Sequence, residues 1–504
     1  MNRTAPISGE LLRLKSEIYT YAKGYGLDFP EVIFEICDYD TINILAAQGG
    51  FPTRYPHWRF GMDYDQMSKQ YSYGLQKIYE MVINTDPCYA YLLNVNPTVD
   101  QKIVMAHVYG HADFFKNNYW FKNTNKKMMD VMANHTTKVR RYMERYGVEK
   151  VEAFIDTVLS LDNLLDVNLL YQDDVGRKRK VEKDKFIEPD QYDDDDRVQA
   201  LQTFLRSKKK AEEKAVEEEN KNNPKAKDDL EIIREPEGLP TRDIMGFLME
   251  YAPIKEWEAD LIGILREEAY YFLPQRITKI MNEGWASYWH STIMTQKAMK
   301  ASEIIDFSDH HSSVMAMSPQ RINPYKIGIE LFRDIEYRWN KGMFGKEYLE
   351  CTNMQVKENW DKELGLGREK IFEVRTTHND ITFIDEFFTE EFCQRQNLFT
   401  YKYNSRTGRN EIETREFEEI KKKLLLSLTN FGSPLIEIES SNYENKGELL
   451  LRHVHQGVDL DLATATDTMR NLYAVWKRPI NLATHYDDKE VKFLFDGEEL
   501  KTLG

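Results

Sequence analysis

The chain has 504 residues with 84 acidic against 68 basic side chains, and its formal net charge of −16 excludes the basic surface that nucleic-acid binding requires. A hydrophobic share of 41% and an aromatic share of 12% exclude a disordered chain and provide for sizeable cores. Four cysteines without close pairing or CxxC spacing exclude a cysteine-cluster zinc finger and give no disulfide framework.

From the N-terminus, no apolar run opens the sequence, and no stretch of about 18 apolar residues marks a membrane span, so a soluble, cytoplasmic protein without a membrane span is expected. Over 11–24 the apolar positions Leu12, Ile18, Tyr19 and Ala22 follow a helical period. The two prolines and closing glycine of 51–61 (FPTRYPHWRFG) argue against a regular element and predict a rigid aromatic, cationic loop, lining a cleft or packed on the surface. Pro97, Thr98 and Gln101 predict a helix start with a Thr-x-x-Gln capping box. That helix carries His107 and His111. Residues 172–240 change character: an acidic run at 193–196 and charges on all faces over 207–219 predict a solvated helix or linker with no apolar stripe to dock it.

Helical patterning resumes over 241–300 and again over 323–342, where Asn323-Pro324 and Gly342 form a start and a stop. Beyond 346 the texture shifts. Strands are expected at 371–375, 400–403, 435–439 and 449–454, with helices at 380–394, 416–428 and 461–476. The fold expected is therefore a mainly α N-terminal region, 1–345, with 172–240 as a charged insertion, followed by a smaller α+β domain, 346–504, with an antiparallel sheet.

The chemistry concentrates in two separated segments, 105–111 (MAHVYGH) and 281–290 (MNEGWASYWH). On a helix His107 and His111 project from one face one turn apart, a spacing that suits two nitrogen ligands on one metal ion. In the second segment Glu283, Ser287 and His290 share a face, Trp285 and Trp289 form a separate apolar stripe, and Gly284 lets a neighbouring helix approach closely. His107, His111 and Glu283 form an expected open metal site, best suited to zinc, with iron or manganese also compatible with the donors. Valine at 108 removes the general base of a HExxH helix. Glu268 and His290 are the candidate bases, His290 alternatively a fourth ligand, and Tyr109 or Tyr288 a candidate oxyanion donor. Asp113 reads as a surface aspartate or as a carboxylate that orients a ligand. Asp309-His310-His311 reads as a polar loop, with one histidine entering the site or both solvated. His453 and His455 read as a hydrogen-bonded pair on one strand face.

The 281–290 segment resembles the helix that supplies the glutamate ligand in gluzincin metallopeptidases, which implies a gluzincin-like helical architecture. More broadly, 51–61, 104–118, 281–290 and 323–336 are similar to stretches of the SpoVR family, named for stage V sporulation protein R. That resemblance implies a bacterial sporulation or stress-response module, linked to spore cortex formation, working with a PrkA-type serine kinase and its small partner protein. Two functions follow as expectations. The first is a metal-dependent hydrolase of amide or peptide bonds, related to peptidoglycan or its precursors. The second is a non-catalytic scaffold or regulatory protein of the kinase module, with the charged insertion as its docking segment.

Overall fold

The computed structural model describes residues 4–72, 80–171, 238–317 and 322–503. The charged insertion lies, except for 238–240, outside the described residues, as does the Ser318-Pro319 dipeptide.

A four-stranded sheet opens the chain: β1 (Thr4–Pro6), β2 (Val32–Cys37), β3 (Glu80–Ile83) and β4 (Cys88–Leu93), in the order β1-β2-β4-β3. The central pair β2–β4 is parallel, in register from Val32 opposite Cys88 to Cys37 opposite Leu93. This sheet was not expected from the sequence. Its two inner strands, VIFEIC and CYAYLL, are short apolar runs bordered by helices, and such runs have no periodicity that separates a buried strand from a buried helix.

Behind the sheet lies a helix from Thr98 to Asn117, the histidine helix, with every residue from Gln101 to Phe115 buried. A helix buried on every face is one that the core surrounds on all sides. Its predicted capping box does not form: Thr98 is already helical, and the Gln101 amide donates instead to the Leu93 carbonyl at 2.7 Å, tying the helix start to β4.

Two more helices complete the central bundle, the glutamate helix (Lys279–Ile293) and the Gly328 helix (Pro324–Lys341). The latter has the expected ends: the Asn323 side chain accepts from Lys326 N at 3.2 Å, and Gly342 is left-handed at φ 71°. Glycines set the spacing of the three. A Cβ on Gly110 would lie 2.7 Å from Ala286 Cα, and one on Gly328 would lie 2.2 Å from the Ile280 carbonyl oxygen and 2.6 Å from Gly284 Cα. The helices therefore touch backbone to backbone. Gly284 does permit a close neighbour, but that neighbour is the Gly328 helix; the histidine helix closes through Gly110 instead.

Further differences from the sequence reading have local causes. Residues 371–375 belong to a helix, Gly367–Thr377, because Ile371 and Val374, three apart, both enter the core shared with the histidine helix. Only 51–57 is irregular: a helix, Trp58–Ser72, begins two residues after Pro56 and includes Gly61. Pro274 does not break its helix, Glu256–Ile277. The stretch 380–394 is two helices, Asp380–Phe387 and Glu390–Arg395, because Thr389 caps the second by accepting from Phe392 N at 3.2 Å. Asp309, His310 and His311 lie not in a loop but in a helix, Ile304–Val314.

The C-terminal sheet is antiparallel-rich, ordered β11-β10-β9-β8-β7 over β7 (Ile436–Tyr443), β8 (Glu448–His453), β9 (Ile480–Tyr486), β10 (Lys489–Phe495) and β11 (Leu500–Leu503), with only β8–β9 parallel. The expected strand at 400–403 forms a separate hairpin of β5 (Thr400–Asn404) with β6 (Arg409–Thr414). The C-terminal sheet and a helix over Leu462–Trp476 share a second core with the helices Met128–Tyr146, Val148–Leu159, Ile244–Tyr251 and Glu256–Ile277. No helix among the described residues is long and apolar enough to cross a membrane.

The glycine contacts are testable. Gly328→Ala forces backbone apart and is expected to destabilise the fold by about 3 kcal/mol. Gly61→Ala, on an exposed helix with open space around it, is expected to be neutral or to stabilise by up to about 1 kcal/mol. Urea unfolding midpoints of the two variants check the contrast.

Candidate metal centre

The histidine and glutamate helices bring His107, His111 and Glu283 together, with one ligand atom of each within 4.8 Å of the others. Both imidazole Nε2 atoms face one carboxylate oxygen: Glu283 Oε2 lies 3.5 Å from His107 Nε2 and 3.4 Å from His111 Nε2. These separations are long for charge-assisted hydrogen bonds, which run at about 2.7–2.9 Å. They match the edge of a coordination tetrahedron, because two donors each about 2.05 Å from one ion at a tetrahedral angle lie about 3.3–3.4 Å apart.

The outer nitrogens are held as metal-ligating imidazoles require. Asn282 Oδ1 lies 2.8 Å from His111 Nδ1, so that nitrogen carries the proton and Nε2 keeps its lone pair toward Glu283. His107 Nδ1 lies 2.8 Å from His290 Nδ1. With His107 as donor, its Nε2 is likewise a lone pair, and the His290 proton sits on Nε2, 3.4 Å from His311 Nδ1. Two imidazole lone pairs and a carboxylate directed at one point repel each other unless a cation or a proton lies between them. The donor set therefore fits a divalent cation. The site is reached along Glu283, whose side chain is 17% exposed against 4% and 5% for the two histidines.

Burial opposes the Glu283 charge, and His107 and His111 outweigh it when their Nε2 atoms carry protons toward the carboxylate, holding it well below the usual carboxylate range. Burial pushes the His290 imidazole well below its ordinary value, with His107 and His311 adding to the effect, so that ring is neutral. His311 is lowered too, by burial first and then by Arg333 and His310.

The other sequence candidates sit elsewhere. Glu268 is not part of this group: its carboxylate takes Arg54 Nη2 at 2.6 Å and His135 Nδ1 at 3.1 Å, and His135 Nε2 faces Glu267 at 3.2 Å. Tyr109 is buried against Phe29, Phe34 and Tyr19, and burial raises its phenol. Tyr288 donates to Glu336. Val108 is fully buried in the first core. Ser287 and His290 do share the Glu283 helix, and both are buried; Trp285 and Trp289 are core as expected. His453 and His455 bond Thr484 and Asp459 rather than each other.

Asp113 is not a surface residue. It is fully buried, accepting from Trp285 Nε1 at 2.8 Å, from Asp28 N at 2.7 Å and from Arg375 Nη1 at 3.1 Å. It binds no ligand histidine; it fixes the histidine helix to the glutamate helix and to the 367–377 helix. Burial pushes its carboxyl up to about 6 against the opposing pull of Arg375.

Two contributors escaped the sequence reading. Asn282, which orients His111, was signalled only by its place beside Glu283. Asp380, remote in sequence, caps the glutamate helix by accepting from Ile280 N at 2.8 Å and Met281 N at 2.9 Å. No sequence signal pairs it with that helix.

The model of the "SpoVR like protein" family matches residues 8–433, and that of the "SpoVR-like C-terminal domain" matches 434–487. The chain belongs to the SpoVR family. The uncharacterized protein YcgB of Escherichia coli strain K12 is 27% identical, over 95% of this chain and 92% of that protein. No solved structure matches the chain. The SpoVR segments thus carry the whole candidate centre within the longer match.

Removing the outer partner should weaken the centre without removing a ligand. Asn282→Leu is expected to lower affinity for a divalent cation roughly 10- to 100-fold with helix content unchanged, as read by competition against a chromophoric chelator. Asp113→Ala leaves Arg375 buried and unpaired and is expected to cost about 3–5 kcal/mol in urea unfolding.

Proposed function

We propose that this SpoVR-family protein is a metal-dependent hydrolase of amide or peptide bonds, with His107, His111 and Glu283 holding the ion. The observation that carries the reading is the convergence of two imidazoles, His111 fixed in its tautomer by Asn282, on one carboxylate oxygen at the separations of a tetrahedral edge. Zinc suits these donors best, with iron and manganese as alternatives. A bound divalent cation would supply Lewis acidity toward a carbonyl oxygen and toward water.

The chain's own residues supply orientation and proton handling. Asn282 and His290 aim the ligand rings, and Asp380 and Asp113 hold the two helices in register. His290 is neutral, and its Nε2 lies 3.4 Å from the half-buried His311 on a mostly exposed helix, giving a short histidine path for a proton leaving the site. His290 is the nearer base candidate, but its one lone pair accepts from His107 Nδ1, so it takes a proton only when that bond opens. Glu268 is already engaged by Arg54 and His135, so its reading as a base needs those contacts to open. Peptidoglycan-related peptides or their precursors in a sporulation or stress-response module are the substrate class we infer from the family.

A second reading rests on Val108: the position of the HExxH glutamate is apolar and inside the core, which favours a scaffold or regulatory role beside a PrkA-type serine kinase and its small partner.

Metal content of wild type and of the His107→Ala/His111→Ala variant, by inductively coupled plasma mass spectrometry, decides between them. About one ion per chain, lost in a variant that circular dichroism shows folded, is expected for the hydrolase. A Glu283→Gln variant should then abolish any amide hydrolysis found with the loaded protein. No metal in either protein after reconstitution overturns this reading and favours the scaffold, to be tested by pull-down with the kinase.

A further inference from the structure

Where the two SpoVR segments meet, at 433/434, the chain forms a partly open cavity of about 550 Å³. Its walls come from both sides of that junction: Leu426 from the helix Phe417–Leu428, Ile436 and Leu451 from the sheet, Leu460 from a loop, and Met469 and Leu472 from the helix Leu462–Trp476. Volumes of this order, mostly apolar and placed between structural units, are typical of small-molecule sites.

The rim is built to a fixed shape. Asn430 and Phe431 take left-handed conformations at φ 45° and 58°, followed by Gly432 at 73°. Two consecutive non-glycine residues in that region are strained, and such strain persists only where surroundings over-determine it. Here they do: the Asn430 amide donates to the Ser433 and Pro434 carbonyls at 3.2 and 2.9 Å, and the Arg276 guanidinium lies 4.2 Å from the centre of the Phe431 ring.

The polar groups give the cavity a chemical preference. His453 lines it, and His453 Nδ1 lies 2.8 Å from Thr484 Oγ1. Thr484 Oγ1 donates its own proton to the His485 carbonyl at 3.0 Å, so it accepts from His453, and the His453 Nε2 is an acceptor. Burial, with His455 adding to it, lowers the His453 imidazole from its ordinary value, which keeps that ring neutral. Asp459 and Asp461 also line the cavity; the Lys423 ammonium beside them is paired with Glu413. The polar edge is thus acidic, with an imidazole acceptor inside.

We propose that this cavity binds a small molecule with an apolar body and one N–H or O–H donor, and that it rejects anions. The donor meets His453, the apolar body fills the space between the sheet and the helix Leu462–Trp476, and Asp459 and Asp461 disfavour a negative charge at the mouth. The site is independent of the metal centre.

The probe is N-phenylnaphthylamine, neutral and apolar with a single N–H, titrated by fluorescence into the full chain. Saturable binding to one site is expected, with a rise in Tm. Ala465→Trp, which fills the cavity, should weaken binding at least tenfold, and Leu426→Trp does the same from the opposite wall if the first variant does not fold. His453→Leu should weaken binding roughly fivefold, one hydrogen bond's worth. Anilinonaphthalene sulfonate, similar in shape but anionic, should bind at least tenfold more weakly than the neutral probe. Absence of saturable binding to wild type, or unchanged affinity in folded filled variants, overturns the site. Equal affinity for the sulfonate, or an indifferent His453→Leu, overturns the ligand chemistry proposed for it.

Discussion

Everything at the candidate centre depends on three helices lying backbone against backbone. Helices with ordinary side chains between them pack 8–10 Å apart, and the loss of a Cβ at Gly110, Gly284 and Gly328 removes the atoms that would hold them there. His107 and Glu283 have short reaches, and they meet only because Gly110 lets the histidine helix press on Ala286. The Gly284–Gly328 contact then backs the glutamate helix from its other side. Sterics at three glycines thereby fix the separation of titratable groups that lie far apart in sequence.

That geometry would be unfavourable without compensation. A carboxylate taken out of water costs several kcal/mol even after relaxation, and the Glu283 site is mostly closed to solvent. A cation or protons between the carboxylate and the two imidazoles, 3.4 and 3.5 Å away, would offset that cost, and the outer ring nitrogens are tied down by Asn282 and His290. Asp113 and Asp380 are two further buried carboxylates at the bundle, and both hold helices: one through Trp285, Arg375 and the Asp28 amide, the other through the first turn of the glutamate helix. Burial lifts both carboxyls above the ordinary range, Asp380 to about 7, whereas Glu283 goes the opposite way. The contrast separates the structural carboxylates from the one in the candidate centre.

The molecule has a second centre of gravity in the core shared by the C-terminal sheet and the helices from 128 to 165 and from 244 to 273. Glu268, Arg54 and His135 lie along that side, which explains the cationic aromatic stretch 51–57: Arg54 is drawn inside to pair with Glu268 while Trp58 and His57 turn to Asp156. The cavity at 433/434 opens on the same core. Two chemically distinct regions therefore share one chain, one lined by histidines and a carboxylate, the other by leucines around a single neutral histidine.

Much of this was legible in the residues. The candidate pair His107 and His111 follows from the period of a helix, Glu283 from its resemblance to a gluzincin motif, the helix at 323–342 from its cap and stop, and the strands at 435–439 and 449–454 from alternation. These are local properties, set by a few neighbouring side chains. What the sequence left open depended on partners far along the chain. Whether β2 and β4 were strands, whether 371–375 was helix or strand, and whether Asp113 was surface or core were all decided by what packed against them. Asn282 and Asp380 acquired their roles the same way, through contacts that span 171 and 100 positions. Spacing along one helix determines which side chains share a face; only the folding of one helix against another decides what that face meets.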